Sequence, residues 1–410
     1  MNILFVHQNY PGQFKFLGPE LVKQGHTVSA LCLRADLGES LHGVKIHNYA
    51  VHRGSTENIH PWLTDFETKV IRGEACFNHA LKLRDSGYYP DVIVAHHGWG
   101  ESLFLKDVWP DSKLGIYCEF FYHSSGFDVG FDREFLSDES TSKSLLRLKN
   151  INNTLHFEIA DAGLSPTNFQ ASTFPDPFRS KITVIHDGLD FNLLRPNPDV
   201  RLSLSSRISF SSSDEIITFV NRNLEPYRGY HIFMRALPRL LKLRPNAHVF
   251  IVGGNGVSYG ASPLSSNWKS IFASEVRDLI DDSAWSRVHF LGNISYANYL
   301  SLLQLSTVHV YLTYPFVLSW SLLESLAIGC AVVASDTAPV SEVITHKFNG
   351  LLVDFFDSKA LTDCICQLLS DSSLRQRLSS NARKQAKALY CLHDVCLPKQ
   401  IQWIDKLSQL

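Results

Sequence analysis

The sequence lacks a strong net charge of either sign. Lysine and arginine account for 38 of its 410 residues and aspartate and glutamate for 40, which gives a formal net charge of −2 at pH 7. A chain so close to neutral creates no long-range field that would attract nucleic acid or an anionic membrane. The hydrophobic content of 45% and the charged content of 19% are typical of globular proteins. The length is too great for one hydrophobic core and indicates two domains of roughly 200 residues each.

The cysteine pattern of a metal site or a disulfide framework is also missing. Eight cysteines are spread between Cys32 and Cys396 without a Cys-x-x-Cys pair, and several fall within predicted strands or helices, as reduced core thiols do. The N-terminal MNILFVHQNYPG has no basic segment and becomes polar within seven positions, so it predicts a strand and not a signal peptide.

A membrane span is not predicted either. The one stretch that is apolar enough, residues 308–336, contains Pro315, Glu324 and Gly329 and has the pattern of strands. We therefore predict a soluble cytoplasmic protein. No contact with nucleic acid is expected, and peripheral contact with a membrane is left open.

Short apolar strands alternate with amphipathic helices along almost the whole chain. The first series begins with a strand at 2–6 and the second with a strand at 216–220, and the alternation predicts doubly wound parallel sheets. Helical spacing extends over 142–160 and 358–390. Between the two series, a Pro-Asn-Pro segment and a serine-rich segment indicate a boundary. We predict an N-terminal domain at 1–190, a linker at 191–214, a C-terminal domain at 215–390, and a terminal helix at 391–410 that packs back on the N-terminal domain.

The stretch VHVYLTYPFVLSWSLLESLAIGCAVVASD covers residues 308–336, and between Arg287 and Asp336 the only charged residue is Glu324. Its pattern predicts a strand, a helix that begins at Ser319 and ends at Gly329, and a second strand. A helix that is apolar nearly all round is buried, so a lone carboxylate on it is costly without a partner.

Two interpretations of Glu324 remain. It is either a structural acid paired with an arginine or a backbone amide, or a ligand residue that accepts hydrogen bonds from sugar hydroxyls while amides at 319–322 bind phosphate. The predicted strand-loop-helix places the helix N-terminus at the carboxyl edge of a parallel sheet, where such folds bind ligands, and this favours the second interpretation.

Several motifs accompany the two series: VNRNLEPYRG at 220–229, IHDGLD at 185–190, DTAPVSEVI at 336–344 and NGLL at 349–352. With the glycine loop after the first strand, they resemble the retaining glycosyltransferases of family 4 over almost the whole chain. The resemblance implies the GT-B fold, in which two Rossmann-like domains face each other across a cleft. It also implies transfer of a sugar from a nucleotide-sugar donor to a hydroxyl acceptor, in glycan, polysaccharide or glycolipid synthesis.

The resemblance also assigns residues to the donor diphosphate. The family uses an arginine and, six residues on, a lysine followed by glycine, and here Arg222 and Arg228 occupy these positions. Arginine keeps the charge and adds a fork that suits phosphate oxygens. Glu324 matches the second of two family glutamates, which binds the ribose hydroxyls. The first would fall at Phe316, so this chain departs from the pattern there.

The remaining implied site residues fall into three groups. The expected catalytic residues are Arg222, Arg228 and Glu119. The expected donor-binding residues are Gly12, Gly254, Asn293, Leu318, Ser319, Trp320, Ser321, Leu322 and Glu324. The expected acceptor-binding residues, in the N-terminal half, are His97, Gly98, Trp99 and His123. Many relatives place a histidine after the strand that ends here at Cys118, whereas this chain has Glu119 there and His123 further on. Neither residue aligns clearly with that histidine, and the alternative for both is an ordinary loop residue.

No metal and no cofactor are expected, because His96 and His97 lack a third ligand at suitable spacing. The substrate donor would be a UDP- or GDP-sugar, and the acceptor a glycan, a lipid-linked sugar or a small molecule. Two alternatives stay open at this point. One is a sugar-nucleotide epimerase on the same fold, and the other is a non-catalytic nucleotide-sugar-binding protein, which only Phe316 suggests.

Overall fold

Each half of the chain folds around a parallel β-sheet in the computed structural model, which describes residues 1–136, 139–205 and 208–410. The strands are β1 (Asn2–Val6), β2 (Thr27–Cys32), β3 (Ser40–Leu41), β4 (Val44–Asn48), β5 (Val92–Ala95), β6 (Lys113–Tyr117), β7 (Ala162–Ser165), β8 (Ile182–Val184), β9 (Leu202–Ser205), β10 (Ile208–Phe210), β11 (Ile216–Asn223), β12 (His248–Gly254), β13 (Val288–Gly292), β14 (Val308–Tyr311), β15 (Val332–Ser335) and β16 (Leu351–Val353). The α-helices are α1 (Leu17–Lys23), α2 (Thr64–Asp85), α3 (Leu105–Val108), α4 (Glu139–Lys149), α5 (Ile151–Ile159), α6 (Asn168–Ser172), α7 (Tyr230–Leu243), α8 (Trp268–Arg277), α9 (Asp282–Trp285), α10 (Tyr296–Leu305), α11 (Trp320–Ile328), α12 (Ala338–Ser341), α13 (Ser358–Ser370), α14 (Ser372–Tyr390) and α15 (Leu397–Leu407).

The chain divides into two compact units. The first contains Met1–Gly188 and Leu392–Leu410, and the second contains Leu189–Cys391. The first unit has an eight-stranded sheet in the order β3-β4-β2-β1-β5-β6-β7-β8, in which only the β3–β4 pair is antiparallel.

Helices cover both faces of the first sheet, which explains why its central strands are apolar throughout. Ile3 and Phe5 of β1 belong to a core cluster with residues of α1 and α15, whereas Leu4 and Val6 belong to a second cluster with residues of α2 and α3. Alternate side chains of a strand point to opposite faces, so a strand between two helical layers is apolar at every position.

The C-terminal helix α15 packs on the first unit. An added Cβ on Gly115 of β6 would lie 2.5 Å from the ring of Trp403, so the indole takes the space that a side chain would need. Trp403, Ile404 and Leu407 are all buried there.

The second unit has a six-stranded sheet in the order β13-β12-β11-β14-β15-β16, with every neighbouring pair parallel. The chain moves outward from β11 to β13 on one side and from β14 to β16 on the other, so the order reverses between β11 and β14. The described part of the predicted linker also lies in this unit. Its β9 and β10 form an antiparallel pair, and the ring of Phe210 lies 5.1 Å from that of Phe250.

Two long predicted helices are interrupted. The segment 142–160 is divided between α4 and α5 at Asn150, whose side chain bonds both the N–H and the C=O of Tyr122. The segment 358–390 is divided between α13 and α14 at Asp371, whose carboxylate accepts a hydrogen bond from the N–H of Leu374 and so begins a new helix. Helical spacing alone does not reveal such side-chain bonds.

The cysteines and the helices bear on two expectations from the sequence, reduced core thiols and the lack of a membrane-spanning helix. All eight cysteines are free thiols, and six of them are buried. Among the residues that the structure describes, no helix combines the length and the apolar character that crossing a bilayer requires.

Candidate active site

The carboxyl ends of three neighbouring strands in the second unit, β11, β12 and β13, carry polar residues and a glycine. β11 ends with Arg222 and Asn223, β12 ends with Gly254, and Asn293 follows β13. An added Cβ on Gly254 would lie 2.7 Å from Asn223 Oδ1 and 3.2 Å from Asn293 Nδ2, so the missing side chain lets both asparagines approach. The predicted donor residues Gly254 and Asn293 therefore lie together. Asn223 joins them and was missed, although its place directly after a strand could have indicated it.

Arg222 is exposed, and within the described ranges its guanidinium makes no hydrogen bond or ion pair. It stands where the strand order reverses between β11 and β14. Ligands of open parallel sheets bind at such a switch point, outside the carboxyl ends of the strands. The arrangement thus presents an unpaired cation with a planar fork of donors at the edge that favours ligands.

Arg228 has a different environment, since only 5% of its surface is exposed. Its Nη1 donates to Tyr311 Oη at 3.3 Å, to Thr313 Oγ1 at 2.7 Å and to the carbonyl of Val317 at 3.1 Å. Its guanidinium carbon lies 4.9 Å from the ring centroid of Tyr259. In this structure Arg228 therefore holds the loop between β14 and α11 in position.

Glu225 anchors a second loop beside Arg228. This buried carboxylate accepts hydrogen bonds from the N–H groups of Ser258, Tyr259 and Gly260 at 3.1–3.3 Å. Three consecutive amides that converge on one carboxylate fix the 258–260 loop, which carries the ring over Arg228. Local sequence contains no signal for this role, because the partners lie more than 30 residues apart.

The N-terminus of α11 is capped by Ser319. The side chain of Ser319 accepts a hydrogen bond from the N–H of Ser321, its carbonyl accepts one from Leu322, and its own N–H donates to Tyr311 Oη. These amides, predicted to bind phosphate, thus have partners in this structure. Trp320 is 47% exposed at the same end of the helix. The helix still presents the positive end of its dipole there.

Glu324 lies one turn into α11 and is half-buried. Tyr296 Oη donates to its Oε1 and Tyr299 Oη donates to its Oε2, each at 2.7 Å. Burial and the neighbouring carboxylate raise the pKa of both tyrosine hydroxyls, which keeps them protonated as donors. The two hydroxyls, one on each carboxylate oxygen, therefore fix the orientation of Glu324. Sequence analysis missed both tyrosines.

Phe316 occupies the position of the family's first glutamate and is 5% exposed. Its ring packs against Tyr227 at 5.7 Å and Tyr259 at 5.1 Å, so an aromatic cluster replaces a carboxylate there. Leu318 and Leu322 are also buried, which confines their part in any ligand site to backbone atoms or packing.

In the first unit, the loops after β1 and β5 meet. Gly12 has φ +47° and lies over the ring of His7, where an added Cβ would come within 2.3 Å of Nε2. The His7 Nε2 lies 2.8 Å from Gln13 Oε1, and its Nδ1 accepts a hydrogen bond from the N–H of Asn9. Burial lowers the pKa of His7 to about 4, so the ring is neutral and Nε2 is the donor. Gly12 thus closes the first loop over a fixed histidine.

A cavity of about 210 Å³ opens at the same edge of the first sheet. Four predicted site residues, from the loops after β5 and β6, line it together with side chains from α2, α4 and α5 that sequence analysis missed. The lining consists of Asp65, Thr68, Lys69, Arg72, His96, His97, Gly98, Trp99, Glu119, Phe120, Tyr122, Lys149, Asn152 and Asn153.

His96 is 2% exposed and lines this cavity. Neither of its ring nitrogens has a hydrogen-bond partner within the described part of the chain. Its Nε2 lies 3.8 Å from Glu119 Oε2, and its ring stacks on Trp99 at 4.2 Å. Burial lowers the pKa of His96 well below its ordinary value, so the neutral ring offers one donor and one acceptor. Satisfying both nitrogens takes two polar groups, one that accepts and one that donates.

The two other predicted histidines are held by the protein. His97 Nδ1 lies 3.0 Å from the carbonyl of Tyr117, and its Nε2 lies 2.7 Å from Asn153 Oδ1. His123 lies outside the lining of the cavity, with Nε2 2.6 Å from the carbonyl of Thr173 and its ring stacked on Phe127. The structure therefore brings His97, Gly98, Trp99 and Glu119 together and leaves His123 apart.

Comparison with protein families explains this arrangement. A model described as the glycosyl transferase family 4 group matches residues 24–194, and one described as glycosyl transferases group 1 matches residues 204–385. Together they span most of both units. The chain belongs to the family 4 type of glycosyltransferases. It therefore transfers a sugar from a nucleotide-sugar donor.

Relatives of this family 4 glycosyltransferase include a D-inositol 3-phosphate glycosyltransferase of Nocardioides, 23% identical over 86% of this chain and 74% of the relative. An uncharacterized glycosyltransferase of Methanocaldococcus jannaschii is 23% identical over 95% of this chain and 94% of the relative. Among solved structures, a sucrose-phosphate synthase of Thermosynechococcus elongatus has a TM-score of 0.74 at 16% identity, with complete coverage of both chains. Anabaena HepE in complex with UDP has a TM-score of 0.69 at 16% identity, again with complete coverage. The fold of this family 4 glycosyltransferase is thus GT-B.

Proposed function

We propose that this enzyme is a retaining, metal-independent glycosyltransferase that moves a sugar from a UDP- or GDP-sugar to a hydroxyl of its acceptor. The observation that carries the proposal is the exposed, unpaired Arg222 at the switch point, beside Asn223, Gly254 and Asn293. A leaving diphosphate needs a cation with this exposure and geometry. The complexes of Anabaena HepE with UDP and with UDP-glucose support a nucleotide-sugar donor.

The charge that develops during the reaction determines which residues take part. As the bond between the anomeric carbon and the phosphate oxygen breaks, its electron pair passes to the diphosphate. Arg222 and the positive end of α11 stabilise that charge. The acceptor hydroxyl attacks the same face, and its proton passes to the leaving phosphate oxygen. This route needs no carboxylate nucleophile, so Phe316 is compatible with it.

Different residues bind the donor and the acceptor in this proposal. Glu324, oriented by Tyr296 and Tyr299, accepts hydrogen bonds from the ribose hydroxyls. Arg228 holds the loop before α11 in place through its bonds to Thr313 and Val317. The cavity lined by His96 and Glu119 receives the acceptor.

A turnover assay with radiolabelled UDP- and GDP-sugars tests the proposal. We expect transfer to persist in excess chelator and the product to keep the anomeric configuration of the donor, which NMR determines. Arg222→Ala should lower kcat by about 100- to 1000-fold, the loss of roughly 2.7–4 kcal/mol that removing one oxyanion donor causes. Its melting temperature should stay unchanged, because Arg222 forms no hydrogen bond or ion pair with the described residues.

Arg201→Ala, at another exposed arginine of the second unit, is the matched control and should retain full activity. A rate that chelator abolishes and divalent ions restore would contradict metal independence. Inversion at the anomeric carbon would contradict the same-face mechanism. An acceptor-independent product would indicate an epimerase, and donor binding without turnover would indicate a binding protein.

A further inference from the structure

The cavity of the first unit contains more positive charge than binding a neutral sugar requires. Lys69, Arg72 and Lys149 line it, against the carboxylates of Asp65 and Glu119. Among the residues that the structure describes, only Lys69 of these three cations forms an ion pair, with Nζ 2.6 Å from Asp65 Oδ2. The positive charge that is left in the lining therefore belongs to Arg72 and Lys149.

The acids that act on the other two cations do so from a longer distance, Glu101 on Arg72 and both Asp65 and Asp128 on Lys149. Within the part of the chain that the structure describes, neither Arg72 nor Lys149 forms an ion pair or a side-chain hydrogen bond. The ammonium of Lys149 lies 3.7 Å from the ring centroid of Tyr122, which attracts it through the face of the ring.

This arrangement is costly for the protein alone. Burial lowers the pKa of Lys149, and the opposing effect of Asp65 and Asp128 does not reverse this shift, so the charge is only partly compensated. Partly buried charges of one sign are stable only when an opposite charge joins them. The unpaired cations therefore indicate an anion that enters from outside.

Two neighbouring side chains indicate the remainder of the ligand. His96 has two unpaired ring nitrogens, and Asn152 Oδ1 is buried without a partner among the described residues. Both residues are 2% exposed and line the same cavity. One neutral imidazole and one amide oxygen suit hydroxyl groups, which both donate and accept.

We propose that this cavity binds a phosphorylated sugar or polyol. Lys69, Arg72 and Lys149 hold the phosphate, whose three terminal oxygens match three cationic donors, while a carboxylate offers only two. His96 and Asn152 hold hydroxyls. That the bound molecule is the acceptor rests on the proposed function, whereas its chemical class rests on the cavity itself.

Isothermal titration on the full chain tests the proposal with four probes: inorganic phosphate, glucose 6-phosphate, glucuronate and glucose, all at equal ionic strength. We expect glucose 6-phosphate to bind at least about tenfold more tightly than glucose, with glucuronate between them and inorganic phosphate as a competitor. Lys149→Met should weaken glucose 6-phosphate by about tenfold and leave glucose unchanged. Its melting temperature should not fall, since a charge that is only partly compensated is removed.

Lys143→Met, at an exposed lysine of the same helix α4 outside the cavity lining, is the control and should bind all four probes as the wild type does. Equal affinity for glucose and glucose 6-phosphate would overturn the proposal. So would a Lys149→Met variant that loses both ligands equally, or the absence of binding by both phosphate probes at millimolar concentration.

These titrations measure no sugar transfer, so they separate this inference from the proposed function. Binding of glucose 6-phosphate without any turnover would leave the cavity assignment intact and refute the enzyme. Turnover confined to uncharged acceptors would support the enzyme and refute the assignment of a phosphorylated acceptor to this cavity.

Discussion

At the scale of the residue, Glu324 takes its position from two tyrosine hydroxyls. The tyrosines precede it by 28 and 25 residues, on the neighbouring helix α10. They hold the carboxylate in one orientation. The structure thus gives this acid protein partners, as the first interpretation expects, and the ligand-binding role of the second interpretation stays a prediction.

Glu324→Gln separates the two roles. We expect it to weaken nucleoside diphosphate binding by about tenfold, because a charge-assisted hydrogen bond of roughly 1.5–3 kcal/mol becomes a neutral one of about 0.5–1.5 kcal/mol. The melting temperature should change little, since the amide can still accept from one tyrosine and donate to the other. Isothermal titration with UDP and GDP, together with melting of the same two proteins, measures both effects. Unchanged affinity with a large fall in melting temperature would make Glu324 a purely structural acid.

At the same scale, residues directly after strands could be predicted and their partners could not. Arg222, Gly254 and Glu119 stand where a strand ends, and that place follows from local sequence. The burial of Arg228 follows from the loops that carry Thr313 and Tyr259, which no spacing along the chain reveals. The site roles assigned by resemblance stay predictions.

At the scale of the element, α11 shows what local chemistry determines. Its predicted start at Ser319 and end at Gly329 are confirmed, with a side-chain cap at one end and φ +95° at the other. Both signals act within a few residues.

The cavity of the first unit, in contrast, could not be predicted from local sequence. Its lining comes from two strand-end loops and from faces of α2, α4 and α5, and helical spacing does not tell which face lies opposite a loop.

Gly229 and Gly329 allow a matched test of backbone and packing effects. Both have positive φ, +67° and +95°, which costs alanine about 1–2 kcal/mol. An added Cβ on Gly329 meets only Pro196 at 3.7 Å, whereas on Gly229 it would lie 2.3 Å from Leu312 Cβ. We expect Gly329→Ala to lower the free energy of unfolding by about 1–2 kcal/mol. Gly229→Ala should lower it by about 2–5 kcal/mol, because overpacking adds to the strain. Guanidinium denaturation compares the two, and equal losses would show that the loop at 312 yields.

At the scale of the whole molecule, several histidines are buried in the neutral form. His7, His97, His156, His186 and His309 are all nearly inaccessible, and burial lowers the pKa of each to about 3–4. One buried acid acts in the opposite direction, since burial raises the pKa of Glu101 to about 7. The change in the free energy of unfolding with pH depends on whether the buried histidines or Glu101 contribute more.

The histidines should dominate, and the protein should lose stability in mild acid. A histidine whose folded pKa lies below its ordinary 6.5 stabilises the fold above that value and loses this contribution as the pH falls toward 4, since the unfolded chain binds the proton first. At pH 5 each costs about 2 kcal/mol, whereas Glu101 returns only about 2 kcal/mol over the same interval. Five such losses are comparable with the whole stability of a typical domain. We expect the free energy of unfolding to fall steeply between pH 7 and pH 5 in denaturant titrations.

His309→Gln should reduce that fall by about 2 kcal/mol, whereas His52→Gln, at an exposed position, should leave it unchanged. Equal stability at pH 7 and pH 5 would mean that these histidines are already charged in the folded protein.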